Sequence, residues 1–242
     1  MTSVATRQLP LVFPARPALG RADFMVTPAN AHAAETVLAP RLWPNGRLAL
    51  IGPAGAGKTH LAHALMAEAA AALAPAMTLT AAKVPALAAC GVAIVEDVDR
   101  LAAMPPAEAR PAEDALFHLF NLAAAGETRL LVTGRGAARS WRIRTPDLAS
   151  RLQSLTVAEI AVPDDALLSS LLLKQGRDRG LDIAAEAATF LATRVDRSFA
   201  GLAAAVEMLD KAAAQRQRRH VTLALAAAAY KEAQPPVRHG EE

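Results

Sequence analysis

Residues Gly52-Pro53-Ala54-Gly55-Ala56-Gly57-Lys58-Thr59 stand between the apolar run Leu48-Ala49-Leu50-Ile51 and an Ala/Leu-rich stretch of helical pattern. No other segment of the chain limits its fold so tightly. Glycines at this spacing let the backbone curl so that successive N–H groups converge on an anion, and the following helix adds the positive end of its dipole. Lys58 is placed to reach β- and γ-phosphates, and the Thr59 hydroxyl suits one coordination position of Mg²⁺. His60 follows in the same helical turn and is counted with the nucleotide contacts. These residues predict bound ATP or ADP. A glycine-rich turn without a ligand is the plain alternative, against which strand, loop, lysine, hydroxyl and helix fall in order.

Bulk composition bounds the class. A chain of 242 residues can bury one sizeable core plus a small second domain, and 53% hydrophobic with 20% charged is a globular balance. Much of the apolar share is alanine and only 4% of residues are aromatic, which favours helices more than core volume. The single cysteine, Cys90, has no internal disulfide partner, which suits a reducing cytosol. No early segment joins a basic start to a long apolar stretch, and no apolar run is long enough to span a bilayer. A cytoplasmic location with no membrane partner is the expectation. A net charge of +3 and a pI near 9.4 permit weak attraction to nucleic acid or an acidic partner and demonstrate neither.

Pro10, Pro14 and Pro17 fall among arginines and small residues, so residues 1–20 predict an extended tail. Apolar runs at residues 48–51, 77–80, 92–95 and 130–133 alternate with helical stretches at 58–73 and 113–124. That is the pattern of a parallel sheet flanked by helices, an α/β fold. After Pro163 the pattern turns entirely helical, at 164–180, 184–194, 198–216 and 222–233, with Asp164, Ser198 and Thr222 as caps. The expected organisation is an α/β nucleotide-binding domain over 21–162, a small all-helical lid over 163–233 and a polar tail over 234–242.

Val92-Ala93-Ile94-Val95-Glu96-Asp97-Val98-Asp99 is a buried-type strand ending in carboxylates. Such an end delivers negative charge to the edge of a sheet, where it holds Mg²⁺ or its waters and polarises an attacking water. Glu96 is assigned the metal side and Asp97 the water side; a solvated helix cap is the other reading. Thr133 ends the run Leu130-Leu131-Val132 and offers a hydroxyl toward a γ-phosphate, or is simply a β-branched strand residue. Arg151 follows Thr145-Pro146-Asp147-Leu148-Ala149-Ser150, either as a surface arginine or as a group serving a neighbouring subunit's nucleotide.

The span from Asp23 to about Ala233 resembles the AAA+ core and helical lid of the DnaA-related family, most closely its short Hda-type branch of regulatory inactivators of DnaA. Asp23-Phe24-Met25-Val26 with Asn30-Ala31 is similar to the segment beside the adenine, which implies Phe24, Met25 and Val26 as nucleotide contacts. Leu130-Leu131-Val132-Thr133-Gly134 and Pro146-Asp147-Leu148-Ala149-Ser150-Arg151-Leu152 resemble the sensor strand and the arginine-finger segment. The second likeness implies that Arg151 acts in trans on DnaA's ATP. Gln8-Leu9-Pro10-Leu11-Val12-Phe13 resembles the peptide by which such proteins bind the DNA-polymerase sliding clamp, with Gln8 for polar contacts and Leu9, Leu11 and Phe13 for apolar pockets. A loose tail packing on its own domain is the alternative.

The departures matter too. In Arg197-Ser198-Phe199-Ala200-Gly201-Leu202, Ala200 takes the place of a second sensor arginine, leaving Arg197 as the substitute nucleotide contact. Arg135 stands where relatives often carry an acidic residue, and Glu96 where Asp is commoner. The resemblance therefore implies nucleotide binding with weak hydrolysis of the chain's own. Only residues 234–242 follow the lid, so DnaA's helix-turn-helix reader is not expected. Arg216, Arg218, Arg219 and His220, and separately Arg135, Arg139, Arg142 and Arg144, leave a weak DNA contact open, and self-association stays open as well. The leading expectation is an AAA+ regulator that binds the clamp and stimulates hydrolysis of DnaA-bound ATP. A freestanding ATPase or helicase loader is the alternative; a small-molecule phosphotransferase has no substrate pocket in its favour.

Overall fold

The structure, a computed structural model, describes Phe24, Val26 and residues 30–233, the side chains of Phe199 and Ala200 excepted. Strands β1 (Arg47–Ile51), β2 (Ala71–Pro75), β3 (Val92–Glu96), β4 (Arg129–Gly134) and β5 (Val157–Glu159) form one parallel sheet in the order β2-β3-β4-β1-β5. In register, Ile51 of β1 sits opposite Gly134 of β4, and Val95 of β3 opposite Val132. The carboxyl ends of the three central strands therefore emerge together, the edge at which a parallel sheet presents its loops to ligands.

The strands read as continuous apolar runs because both faces are covered. Ala49, Ile51, Ala93, Val95, Leu130 and Val132 face one core, closed by α3 (Val84–Ala89), α4 (Pro106–Ala124) and α5 (Pro146–Gln153). Leu48, Leu50, Ile94 and Leu131 face the other, closed by α1 (Ala31–Val37) and α2 (Lys58–Glu68) through Val37, Leu61 and Leu65. A third core lies among α6 (Asp165–Asp178), α7 (Ala185–Ala192), α8 (Phe199–Gln215) and α9 (Leu223–Ala233), with Leu168, Leu172, Leu191, Leu202 and Leu209 fully buried. The three caps read from sequence all engage. Asp164 accepts from the Leu167 N–H at 2.7 Å, Ser198 from Gly201 at 3.0 Å and Thr222 from Leu225 at 3.3 Å. Such caps are each worth about 1 kcal/mol.

Four elements differ from expectation. The second strand is Ala71–Pro75, not 77–80; Met77 lies in a 3₁₀ turn over Ala76–Thr78. Alanine reads as helix, so the pattern of α2 ran through to residue 73, whereas the helix stops at Glu68. Helix α4 starts at Pro106 rather than 113, because proline at the first helical position gives up an N–H that has no partner anyway. It also tolerates Pro111 inside. The three-residue β5 carries too little pattern to be read. Nor is the lid entirely helical, since β6 (Asp182–Ile183) and β7 (His220–Val221) pair in parallel. Among the described residues no helix is long and apolar enough to cross a membrane.

Candidate functional site

After Ile51 the chain turns through Gly55 at φ +68° and Gly57 at φ +98° before α2 begins at Lys58. Glycine takes such angles without the Cβ clash that other residues suffer. The first N–H groups of α2 have no helical partner, so this turn is an anion-ready end. Lys58 folds back over it, donating from Nζ to the carbonyls of Gly52 and Pro53, each at 2.8 Å. Burial holds its ammonium below the ordinary lysine range. Asp97 and Asp99 oppose that shift, Arg135 adds to it, and Glu96 opposes it more weakly.

A cleft of about 270 Å³ is lined by the loop from Ala54 to Thr59 together with Asp97 and Arg135. Thr59 is exposed there, while Glu96 is only 8% exposed. Burial pushes the Glu96 carboxyl above the ordinary range; a hydrogen bond from Thr59 pulls it back, Asp97 pushes it further up, and His63 and Lys58 pull it down. Its Oε1 is buried with no hydrogen-bond partner. A buried carboxylate oxygen left unpaired is the signature of a group waiting for a cation or an ordered water, and the donor set suits Mg²⁺. Asp97 adopts a left-handed backbone at φ +56°, and its N–H donates to the Thr133 hydroxyl at 3.1 Å. Thr133 is fully buried and ties the end of β4 to this acidic turn.

The loop residues and Asp97 are thus brought together. His60 stands edge-to-face with Phe24, ring centroids 5.3 Å apart, and Phe24 is buried in the core that includes Ala56. Val26 is 61% exposed. Met25 and the tail residues Gln8, Leu9, Leu11 and Phe13 lie outside the described residues. Arg197 is held within the lid, its Nη2 2.8 Å from Asp165 Oδ1 as a close ion pair without hydrogen-bond alignment. Arg216, Arg218, Arg219 and His220 line an open cleft of about 500 Å³, where Arg219 faces Asp210 and His220 meets Asp182 at 2.7 Å.

Arg151 lies in the last turn of α5. Its Nη1 donates to Asn121 Oδ1 at 2.6 Å, and its guanidinium sits 4.7 Å from the Phe117 ring centroid and 5.6 Å from that of Phe120. Among the described residues no carboxylate is within ion-pair distance of it. Arg47 shares the Phe120 ring at 4.5 Å; burial and the neighbouring Arg151 both lower its pKa. Glu113, fully buried on α4, aims the start of α5: its carboxylate accepts from the N–H groups of Arg144 (3.1 Å) and Thr145 (2.8 Å) and from the Thr145 hydroxyl (2.7 Å). Arg144 is itself taken out of the basic stretch, donating to the carbonyls of Leu101, Ala102 and Met104. Sequence reading passed over Glu113, although a glutamate on the apolar stripe of α4, near Leu116 and Phe120, was a usable signal. Arg135 was read only as a departure, and its place in the cleft went unread.

The fold is similar to domain III of the Thermotoga maritima replication initiation protein DnaA, with a TM-score of 0.68 at 20% identity over 91% of this chain and 98% of that one. Residues 165–225 match the family model for the Hda lid domain. This chain is an Hda/DnaA-related AAA+ protein. Its class is that of DnaA-related replication regulators. The AAA+ core is also similar to AMPPCP-bound DnaA from Aquifex aeolicus (TM-score 0.66, 18% identity, 81% of this chain and 65% of that one). A further likeness is to the Thermotoga maritima RuvB Holliday junction branch migration motor (0.68, 14%, 88% and 71%). At these identities the structural matches speak for the fold.

Proposed function

We propose that this AAA+ protein binds adenine nucleotide in the cleft beneath residues 52–59, docks on the DNA-polymerase sliding clamp through residues 8–13, and lends Arg151 to ATP held by DnaA. Hydrolysis there limits re-initiation. The observation that carries the reading is the state of the Arg151 guanidinium, aligned by a neutral amide and two ring faces and left without a carboxylate. An arginine neutralised within its own subunit has little charge to lend; this one keeps its charge. As water oxygen bonds to the γ-phosphorus and the bridging P–O bond breaks, charge spreads over the equatorial oxygens. A guanidinium supplied in trans typically accelerates that step by about 10³- to 10⁵-fold.

Nucleotide in this chain's own cleft is supported by the loop geometry and by the similar fold of the AMPPCP-bound Aquifex aeolicus DnaA. Thr59, Glu96 and Asp97 are the residues that would hold Mg²⁺, which when bound neutralises phosphate charge. The nucleotide's part is to favour one arrangement of core and lid, as any ligand selective for that arrangement does.

The test is ATP turnover by DnaA with clamp-loaded DNA and this protein: Arg151→Ala as active as the parent would overturn the finger role. Clamp docking is checked by a pull-down after replacing Gln8, Leu9, Leu11 and Phe13 by alanine, and unchanged retention would disqualify the tail. The acidic turn beside the loop favours a second reading, a freestanding ATPase or helicase loader. That reading requires turnover without DnaA, abolished by Lys58→Ala.

A further inference from the structure

Arg135 occupies a position that the strand register dictates. Because Ile51 pairs with Gly134, the residue after each faces the same edge, which sets Arg135 next to the start of the phosphate loop. Its backbone is pinned there. The Trp141 indole N–H donates to the Arg135 carbonyl at 2.9 Å, and the same ring packs so closely on Gly134 that a Cβ there would meet it at 2.5 Å. Any side chain at 134 would push the indole away and release the turn that follows.

The Arg135 side chain, by contrast, is exposed at the cleft and makes no hydrogen bond or ion pair among the described residues. It stands close enough to Lys58 for the two cations to repel. Two cations on opposite walls of one small cleft, one of them otherwise unpartnered, are an arrangement stabilised by a polyanion between them. Lys58, Thr59 and Asp97 mark the β/γ end of the phosphate path, and Arg135 closes that end. The lid offers no equivalent group there, since Arg197 is engaged by Asp165.

We propose that Arg135 binds the γ-phosphate of this chain's own nucleotide, so that discrimination between nucleoside triphosphate and diphosphate is made from the core rather than from the lid. The inference rests on the nucleotide-binding reading above. Its consequence is that a triphosphate is recognised without the lid having to close on it.

Isothermal titration of the full chain with Mg²⁺-AMPPCP and Mg²⁺-ADP tests it, using parent, Arg135→Ala, Arg135→Lys and Arg197→Ala proteins. Arg135→Ala should weaken AMPPCP about ten-fold or more, as loss of a charge-assisted hydrogen bond does, and change ADP less than about two-fold. Arg135→Lys should recover part of the AMPPCP preference, and Arg197→Ala should leave it intact. Equal weakening of both nucleotides by Arg135→Ala, or of neither, would overturn the inference while leaving nucleotide binding in place; loss of the preference in Arg197→Ala would return the role to the lid. A parent protein that takes up neither nucleotide would overturn this inference and the reading beneath it together.

Discussion

Asn121 Oδ1 receives the Arg151 Nη1–H at 2.6 Å, a bond from α4 to the last turn of α5 that orients the guanidinium without discharging it. Replacing Asn121 by aspartate would convert the contact into an ion pair. If Arg151 serves a neighbour's triphosphate, Asn121→Asp should lower stimulated DnaA turnover more than Asn121→Ala does. The alanine variant, losing one charge-assisted bond, should fall about ten-fold, and Arg151→Ala by about 10³-fold. Full activity in Asn121→Asp would show that an unpaired charge is not what the site uses.

Glu113 holds the entry of the same helix through three accepted hydrogen bonds at complete burial. Glu113→Ala strands the Arg144 and Thr145 N–H groups and the Thr145 hydroxyl, and should cost about 3 kcal/mol of stability. Glu113→Gln, which keeps one acceptor oxygen, should cost less. Guanidinium unfolding at unchanged m-value reads the difference, and a loss below about 1 kcal/mol in the alanine variant would mean that the helix start is held by something else.

The Thr133 hydroxyl accepts from an Asp97 N–H whose residue sits at φ +56°, a conformation disfavoured for a non-glycine residue. Thr133→Val keeps the branched shape and removes the acceptor, leaving the amide unpaired. A stability loss of about 1 to 3 kcal/mol follows, with Thr133→Ser recovering most of it. Denaturation midpoints for the two variants decide the matter; equal midpoints would show that the bond contributes nothing.

Legibility followed the size and locality of each signal. β1, β3 and β4 were readable because strands buried on both faces leave continuous apolar runs, and Asp164, Ser198 and Thr222 were readable because a cap acts within three residues of itself. β2 was not, since Ala71-Ala72-Leu73-Ala74 continues an alanine-rich helical pattern and becomes a strand only by pairing with β3. The phosphate loop was legible as a contiguous motif. Arg135 and Glu113 were not, because what gives each its role is distant in sequence: the Ile51–Gly134 register for one, the Thr145 helix start for the other.

Glu96 supplies a pH-dependent test of the acidic turn. Burial, the largest cause, raises its carboxyl above the ordinary value of 4.5. Between that unfolded value and the raised folded one, the folded chain holds more protons than the unfolded chain, so stability falls as pH climbs through the window and levels off above it. The contribution is fully present below the unfolded pKa and lost through the folded one. Glu96→Gln removes this titration, so the stability of the parent minus that of the variant should be flat at the acid end and slope downward with rising pH across the window. Mg²⁺ with ADP should flatten that slope, because a cation beside the orphaned Oε1 favours the ionised carboxylate and brings the folded pKa down. Thermal melts of both proteins at a series of pH values, with and without Mg²⁺-ADP, give the curve. A difference that stays level from about pH 4 to about pH 8 without ligand would mean the carboxylate is solvated in the folded chain, and a slope untouched by Mg²⁺-ADP would place the cation away from Glu96.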